Sequence, residues 1–467
     1  MTALEHPPVL PPPARRSPLS AVQAMPVTPR AGLDARVLLG GILLGAVAVV
    51  GLWWRDTPSI SGAGEYLTNA GRVTGLLAGY AIVVLLGLMA RVPALERGVG
   101  ADRLARWHSM GGRYTVSLAC AHALLIIWGY AITDHRGVVA ETTTLWSQYA
   151  DVLMATAALG LLVLVGVTSA RAARKRLRYE TWLYIHFYTY LATALAFSHQ
   201  FSTGADFVDD RAARMVWAAM YVGVAVLLIW YRFTAPLRQS LRHGLRVAAV
   251  IPEGPSTTTV IVTGRDIRGL GAAPGQFFRW RFLNRYGWWA ANPYSLSAVP
   301  TDDALRITVK HLGDHSVALR DLRPGTRVIA EGPYGAMTSV RSRERKVLLV
   351  AGGVGVTPLR ALFEELSADR GGNVLMIYRA SRERDVLFRG ELDAIAARYG
   401  STVWYAIGSR GSEADIVRPG VLERYVPDLR GCDVYLCGPE GVTAPAIAAA
   451  RRCGVRRRSI HIEDFGF

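Results

Sequence analysis

The sequence predicts a multidomain membrane protein: an α-helical six-span bundle, then an antiparallel β-barrel, then an α/β domain on a parallel sheet. Three observations predict it. Of the 467 residues 51% are hydrophobic, and they crowd into the first half in blocks near the ~20 residues a bilayer requires. After residue 235 the texture changes to short alternating segments bounded by turns. From residue 346 it changes again, to strand, glycine-rich turn and helix.

The first 33 residues, rich in proline and without an apolar signal core, read as a disordered cytoplasmic tail. Domain 34–235 follows, with apolar spans at 37–54, 67–90, 108–131, 149–170, 181–201 and 214–231. Arg91, Arg97, Arg103 and Arg106 fall in one loop and five Lys/Arg in 171–180, whereas the loops on the other side hold Arg55, Arg136 and Arg211. The positive-inside bias therefore predicts a multi-pass plasma-membrane protein with both termini in the cytoplasm. The third and fifth spans then run in the same direction.

The net charge of +17 is met by basic loops and by arginines for phosphorylated cofactors. No basic run carries interleaved aromatics, so no nucleic-acid partner is expected. The cysteines, Cys120, Cys432, Cys437 and Cys453, lack C-x-x-C spacing, which argues against an iron–sulfur or structural zinc site.

Two stretches carry paired histidines: "HSMGGRYTVSLACAH" with His108 and His122, and "HFYTYLATALAFSH" with His186 and His199. Fourteen residues make about 3.9 helical turns and roughly 21 Å, thirteen about 3.6 turns and roughly 20 Å. With both spans running the same way, His108 matches His186 in depth and His122 matches His199. Ionisable residues inside a membrane are functional by default, and two imidazoles at one depth can ligate a haem iron axially. The expected metal ligands are these four histidines, holding two b-type haems. The 13-residue spacing turns His199 off the face of His186, so a local distortion of that helix is expected.

Residues 240–340 form the expected barrel and 341–467 the expected α/β domain. "NPYSLS" places Asn292, Pro293, Tyr294 and Ser295 on a barrel strand, where an aromatic ring and a hydroxyl suit a flavin. "GGVGVTP" brings Gly352, Gly353, Gly355, Thr357 and Pro358, a turn that lets backbone approach a pyrophosphate at a helix N-terminus. "YRASRERD" offers Arg379, Ser381 and Arg382 for a 2′-phosphate, favouring NADPH. "LCGPEGV" puts Cys437, Gly438 and Pro439 at the end of a further strand, near the nicotinamide.

In this order the motifs of residues 240–467 resemble the ferredoxin–NADP reductase superfamily. The resemblance implies FAD on the Tyr-Ser motif and a second flavin region at Lys310 and Gly332-Pro333-Tyr334-Gly335. It implies the nicotinamide nucleotide on the glycine-rich and Cys-Gly-Pro turns, and a terminal aromatic, Phe467, over the flavin. Thr357, Cys437 and Phe467 become the expected catalytic set. One departure stands out: that family often has His or Arg where this chain has Asn292, removing a cation from the flavin phosphates.

With the membrane half added, the chain resembles the NADPH oxidase / ferric reductase family. The resemblance implies electron transfer from cytoplasmic NADPH through FAD and two haems to a ferric chelate or dioxygen at the outer face. A membrane-tethered flavin reductase with structural histidines, a redox-sensing channel lined by them, and an electron-entry subunit for a partner reductase are the competing readings. The oligomeric state is unknown.

Overall fold

This computed structural model describes residues 32–463 apart from 58–59, 175, 178, 209, 286, 409–419 and 427. Phe467 and residues 1–31 of the expected tail lie outside the described residues.

The first half is helical: α1 (Ala35–Arg55), α2 (Ala63–Leu88), α3 (Pro93–Gly98), α4 (Ala101–Thr133), α5 (Val138–Gln148), α6 (Val152–Ser169), α7 (Tyr179–Ser202) and α8 (Arg211–Ile229). A π-helical turn, Trp230–Thr234, leads from α8 into α9 (Ala235–His243). Among the described residues five helices are long and apolar enough to cross a membrane: α1, α2, most of α4, α6, and α8 with α9. The fifth expected span, 181–201, forms as α7, but its two histidines, Gln200 and several tyrosines hold its hydropathy below that of the others. α4 packs closely on α2, and α7 on α6, while α4 and α7 barely touch. The α2–α4 approach depends on glycine. A Cβ at Gly71 would lie 2.9 Å from Ile126, and one at Gly75 2.5 Å from the His122 ring.

The second part has two three-stranded antiparallel sheets. One is ordered β1 (Arg246–Pro252), β2 (Thr257–Thr263), β5 (Ala304–Lys310); the other β4 (Asn292–Ser295), β3 (Phe277–Phe282), β6 (Val328–Tyr334). They enclose a core that includes Val260, Phe278, Trp280, Leu296 and Ile307. The expected barrel is not closed by continuous ladders: among the described residues only the isolated bridges Arg246–Arg327 and Leu296–Ile307 link the sheets.

The third part is a five-stranded parallel sheet, ordered β11 (Ile460–Glu463), β10 (Cys432–Cys437), β7 (Lys346–Gly352), β8 (Val374–Ala380), β9 (Thr402–Ile407). Helices α10 (Val356–Arg370), α11 (Arg389–Tyr399) and α12 (Glu440–Arg452) complete it. "KVLLVAG" is apolar throughout because β7 is covered on both faces, Leu349 and Ala351 entering one core and Leu348 and Val350 the other.

The segment joining the second part to the third is pinned from below the sheet. Asp433, fully buried, accepts hydrogen bonds from Ser342 Oγ (2.9 Å) and from the N–H groups of Arg343 (2.5 Å) and Glu344 (2.6 Å), with His461 Nε2 at 3.4 Å. Burial alone would raise this carboxyl, but the His461 contact and the N–H donors outweigh it and hold it at about 2. A depressed folded pKa contributes stability that is full above the unfolded value, near pH 4, and fades as pH falls towards 2. It amounts to about 2 kcal/mol. Asp433→Asn is therefore expected to melt well below the wild type at pH 7, with the gap narrowing at pH 3. Thermal unfolding at both pH values checks this, and an equal gap would overturn it.

Candidate functional site

The sheet order places a topological switch between β7 and β10, where the connections leave in opposite directions. In open α/β sheets ligands bind in the crevice at such a point, outside the carboxyl ends of the strands. A cavity of about 270 Å³ lies there, lined by Gly352, Gly353 and Val354 beyond β7, by Pro439 and Val442 beyond β10, and by Arg379, Ser381 and Arg384 beyond β8. Lys310, from the end of β5, closes it on the barrel side. The two turns meet backbone to backbone. A Cβ at Gly355 would collide with the Cys437 carbonyl, and Gly438, at φ 152°, would place one 2.8 Å from Gly352 Cα. Thr357 and Pro358 sit in the first turn of α10, where Pro needs no N–H partner, and Thr357 Oγ1 donates to Val354 O (2.9 Å).

Of the residues expected at the 2′-phosphate, Arg379 and Ser381 line this cavity and Arg382 does not. Arg379 is buried and its Nη1 donates to the carbonyls of Ala406 (3.3 Å) and Gly408 (2.7 Å), tying β8 to β9. Arg382 is exposed and is not in the cavity wall, whereas Ser381 and Arg384 are. Arg384 escaped sequence reasoning because its motif holds several arginines at loop positions without periodicity. Cys437 is fully buried in the core on one face of the sheet and is not among the residues lining the cavity.

On the barrel, Tyr294 and Ser295 lie on β4 beside β3, with Tyr294 O accepting from Trp280 Nε1 (2.9 Å). β3 alternates strictly, Phe278, Trp280 and Phe282 turning into the core and Arg279 and Arg281 to the other face. Arg279 is the cross-strand partner of Pro293. Arg281 Nε is buried without a hydrogen-bond partner. This face offers cations beside Asn292, where a dinucleotide phosphate could accept from them, and the period-2 pattern of "FFRWRF" is the signal that could have found them. Tyr334 ends β6, next to cis-linked Gly332-Pro333. Burial pushes the phenols of both Tyr294 and Tyr334 up, so both remain neutral donors.

In the helical part the four histidines come together in two facing pairs. The ring centroids of His108 and His186 are 5.8 Å apart, and those of His122 and His199 6.2 Å. Two imidazoles on opposite sides of one metal, each with nitrogen about 2 Å from it, would have centroids roughly 6 Å apart, so both pairs fit a bis-imidazole iron. Ring orientation fits as well. His122 Nδ1 lies 2.8 Å from Gly71 O and His108 Nδ1 3.2 Å from Leu85 O. A carbonyl only accepts, so each Nδ1 carries the proton and each Nε2 keeps its lone pair for a metal. Thr203 Oγ1 donates to His199 O (2.9 Å) and so accepts from His199 Nδ1 (3.0 Å). His186 Nδ1 is buried with no partner; its ring stacks on Trp182 at 5.1 Å, and Arg174 lies over that indole at 4.7 Å. α7 is continuous, and the rings reach α4 across the gap between the two helices.

The His122–His199 pair lines a second cavity of about 270 Å³, together with Gly75, Ile126, Leu162 and Trp217. Its polar end is the buried ion pair Arg72–Asp206 (2.7 Å).

Comparison with known proteins follows this division. Residues 74–197 match the family "Ferric reductase like transmembrane component", a range holding His108, His122 and His186. Residues 349–446 match "Oxidoreductase NAD-binding domain". The ferredoxin reductase component of 3-ketosteroid-9-alpha-monooxygenase from Mycolicibacterium smegmatis is 31% identical over 47% of this chain and 65% of its own length. This chain thus spans just under two thirds of that relative. "Ferredoxin--NADP reductase B" of Sorangium cellulosum is 31% identical over 37% of this chain and 77% of its own length. Among solved structures, the FAD/NAD-binding domain of nitric oxide dioxygenase from Vibrio cholerae is 24% identical, with a TM-score of 0.40, over 47% of this chain and 98% of that one. The chain belongs to the ferredoxin–NADP reductase family, its NAD-binding domain fused behind a ferric reductase-like transmembrane component.

Proposed function

We propose that this protein carries electrons from NADPH, through FAD and two b-type haems, to an acceptor on the far side of the membrane, a ferric chelate or dioxygen. The observation that carries the reading is the pair of facing imidazole pairs, at 5.8 and 6.2 Å, on helices otherwise held apart. α7 then counts as a sixth span, and the basic loops 91–107 and 171–180 put the dehydrogenase in the cytoplasm. The domain limits are 34–235, 240–340 and 341–467, behind the tail 1–33.

His108 and His186 would hold one haem, His122 and His199 the other, and the flavin would lie along the outer face of β3, β4 and β6. Bound flavin supplies conversion of a two-electron donor to single electrons, and bound haem supplies a single-electron relay. The chain's own residues place and tune. Gly352, Gly353, Gly355 and Gly438 clear backbone for a pyrophosphate, Ser381 and Arg384 present a hydroxyl and a guanidinium to a 2′-phosphate, and Lys310 faces the nucleotide from the barrel side. Thr357, Cys437 and Phe467 remain proposed for the nicotinamide and flavin rings, Cys437 through its backbone as the floor under the glycine-rich turn. The three Nδ1 hydrogen bonds fix tautomers so that each Nε2 keeps its lone pair for a metal. Histidines on both sides of each haem would leave no open iron position, so the acceptor would be reduced without binding the metal.

The test is an anaerobic absorbance spectrum of detergent-purified protein with FAD, before and after NADPH. Expected is a low-spin b-type spectrum at two haems per chain, reduced by NADPH. A haem-free protein whose flavin alone is bleached overturns the reading in favour of a tethered flavin reductase.

A further inference from the structure

The loop joining α2 to α4 carries a residue that no flavin or nucleotide motif contains. Arg91 sits at φ 62°, in the left-handed region, and its guanidinium lies over the Tyr334 ring, 4.8 Å from the centroid. Arg91 Nε is 3.5 Å from Glu331 Oε1, and Nη1 is 3.5 Å from Glu96 Oε1 on α3. Glu331 is itself buried, accepts from Tyr334 OH at 2.8 Å, and lies 3.8 Å from Arg279 Nη1. One arginine from the membrane-helix side thus holds the ring and the carboxylate that set the end of β6. Through Glu331 it also bears on Arg279, which faces Pro293 on the flavin strand. Nearby contacts reinforce the junction: Gln239 Nε2 on α9 donates to Ala330 O (3.1 Å), and Arg232 donates to Met89 O (2.8 Å), two residues before Arg91.

We propose that Arg91 is a positioning residue for the flavin site, holding Tyr334 and Glu331 so that FAD is seated firmly only when the barrel is docked against the membrane helices. The proposal rests on the FAD part of the proposed function and on none of its haem part. A guanidinium suits the task because it stacks on an aromatic face while its spread charge lies within ion-pair distance of two carboxylates. Lysine keeps the charge and loses the plane.

The test titrates FAD into full-length protein by flavin fluorescence, for wild type, Arg91→Ala, Arg91→Lys, Glu331→Gln and the Arg91→Ala/Glu331→Gln double variant. Loss of one charge-assisted, half-buried contact is expected to weaken FAD about tenfold in Arg91→Ala, with an intermediate value for Arg91→Lys and higher fluorescence of the flavin that remains bound. KM for NADPH, measured at saturating FAD, stays at the wild-type value, which a general loss of fold would not allow. The double variant loses no more than the worse single variant, because both substitutions break one unit. FAD affinity in Arg91→Ala within about twofold of wild type, or losses that simply add in the double variant, overturns the proposal. Absence of haem from the wild type would sink the transmembrane relay and leave this titration readable.

Discussion

A His122→Leu protein is expected to bind about half the haem of the wild type and to deliver electrons to an external acceptor at least roughly a hundredfold more slowly. Leucine fills most of the space of the imidazole, in a cavity lined by Gly75, Ile126 and Leu162, so the bundle survives. The ligand and its hydrogen bond to Gly71 O do not. His199→Leu should give the same result, since its ring faces His122 at 6.2 Å. Reduction of ferricyanide at the flavin by NADPH should continue at the wild-type rate in both, because the dehydrogenase part is untouched. Haem per chain and the two rates, measured on one preparation, decide it. Retention of both haems in His122→Leu would show that the histidine is a structural hydrogen-bonding residue.

Gly438→Ala is the second large effect. At φ 152° an L-residue is strained by about 1–3 kcal/mol, and the new Cβ would sit 2.8 Å from Gly352 Cα. The obstacle is backbone, which cannot rotate away, so overpacking adds about 1–3 kcal/mol more. The two turns that form the nucleotide crevice must separate. KM for NADPH should rise at least about tenfold while the flavin-to-protein ratio holds, since β3, β4 and β6 lie elsewhere. Gly400→Ala is the control: it too has positive φ, 69°, but a Cβ there meets nothing within 4 Å and the residue lies outside the crevice wall. Its cost should be only the roughly 1–2 kcal/mol of the left-handed conformation. Equal behaviour of the two variants would refute the close-approach argument.

Much of this was legible in the chain because the constraints are local. The period of 14 residues on α4 and 13 on α7 is enough to pair the histidines by depth, and the glycine-rich turn after an apolar run marks the end of β7. What escaped is what folding brings from far away. The Asn292 position loses its cation in the motif, yet Arg279 and Arg281 arrive beside it from the neighbouring strand. Arg91 reads as one more basic loop residue until β6 is laid against it. The 13-residue spacing looked awkward for His199, yet both rings of the unbroken α7 face α4, because sequence spacing alone says nothing of how far imidazoles reach across a gap. Arg379 does reach the cavity wall, but that its Nη1 also ties β8 to the carbonyls of β9 and the turn after it could not be read from the motif.

The separation of α4 from α7 bears on how the protein matures. α2 grips α4 through glycine contacts and α6 grips α7, and the two histidine pairs face one another from α4 and α7. On the proposed ligation, each haem that enters is also a crosspiece between two prefabricated helix pairs. Cofactor supply would then set not only how much enzyme is active but how much survives quality control. Cells starved of haem would degrade the membrane part with its otherwise sound dehydrogenase attached.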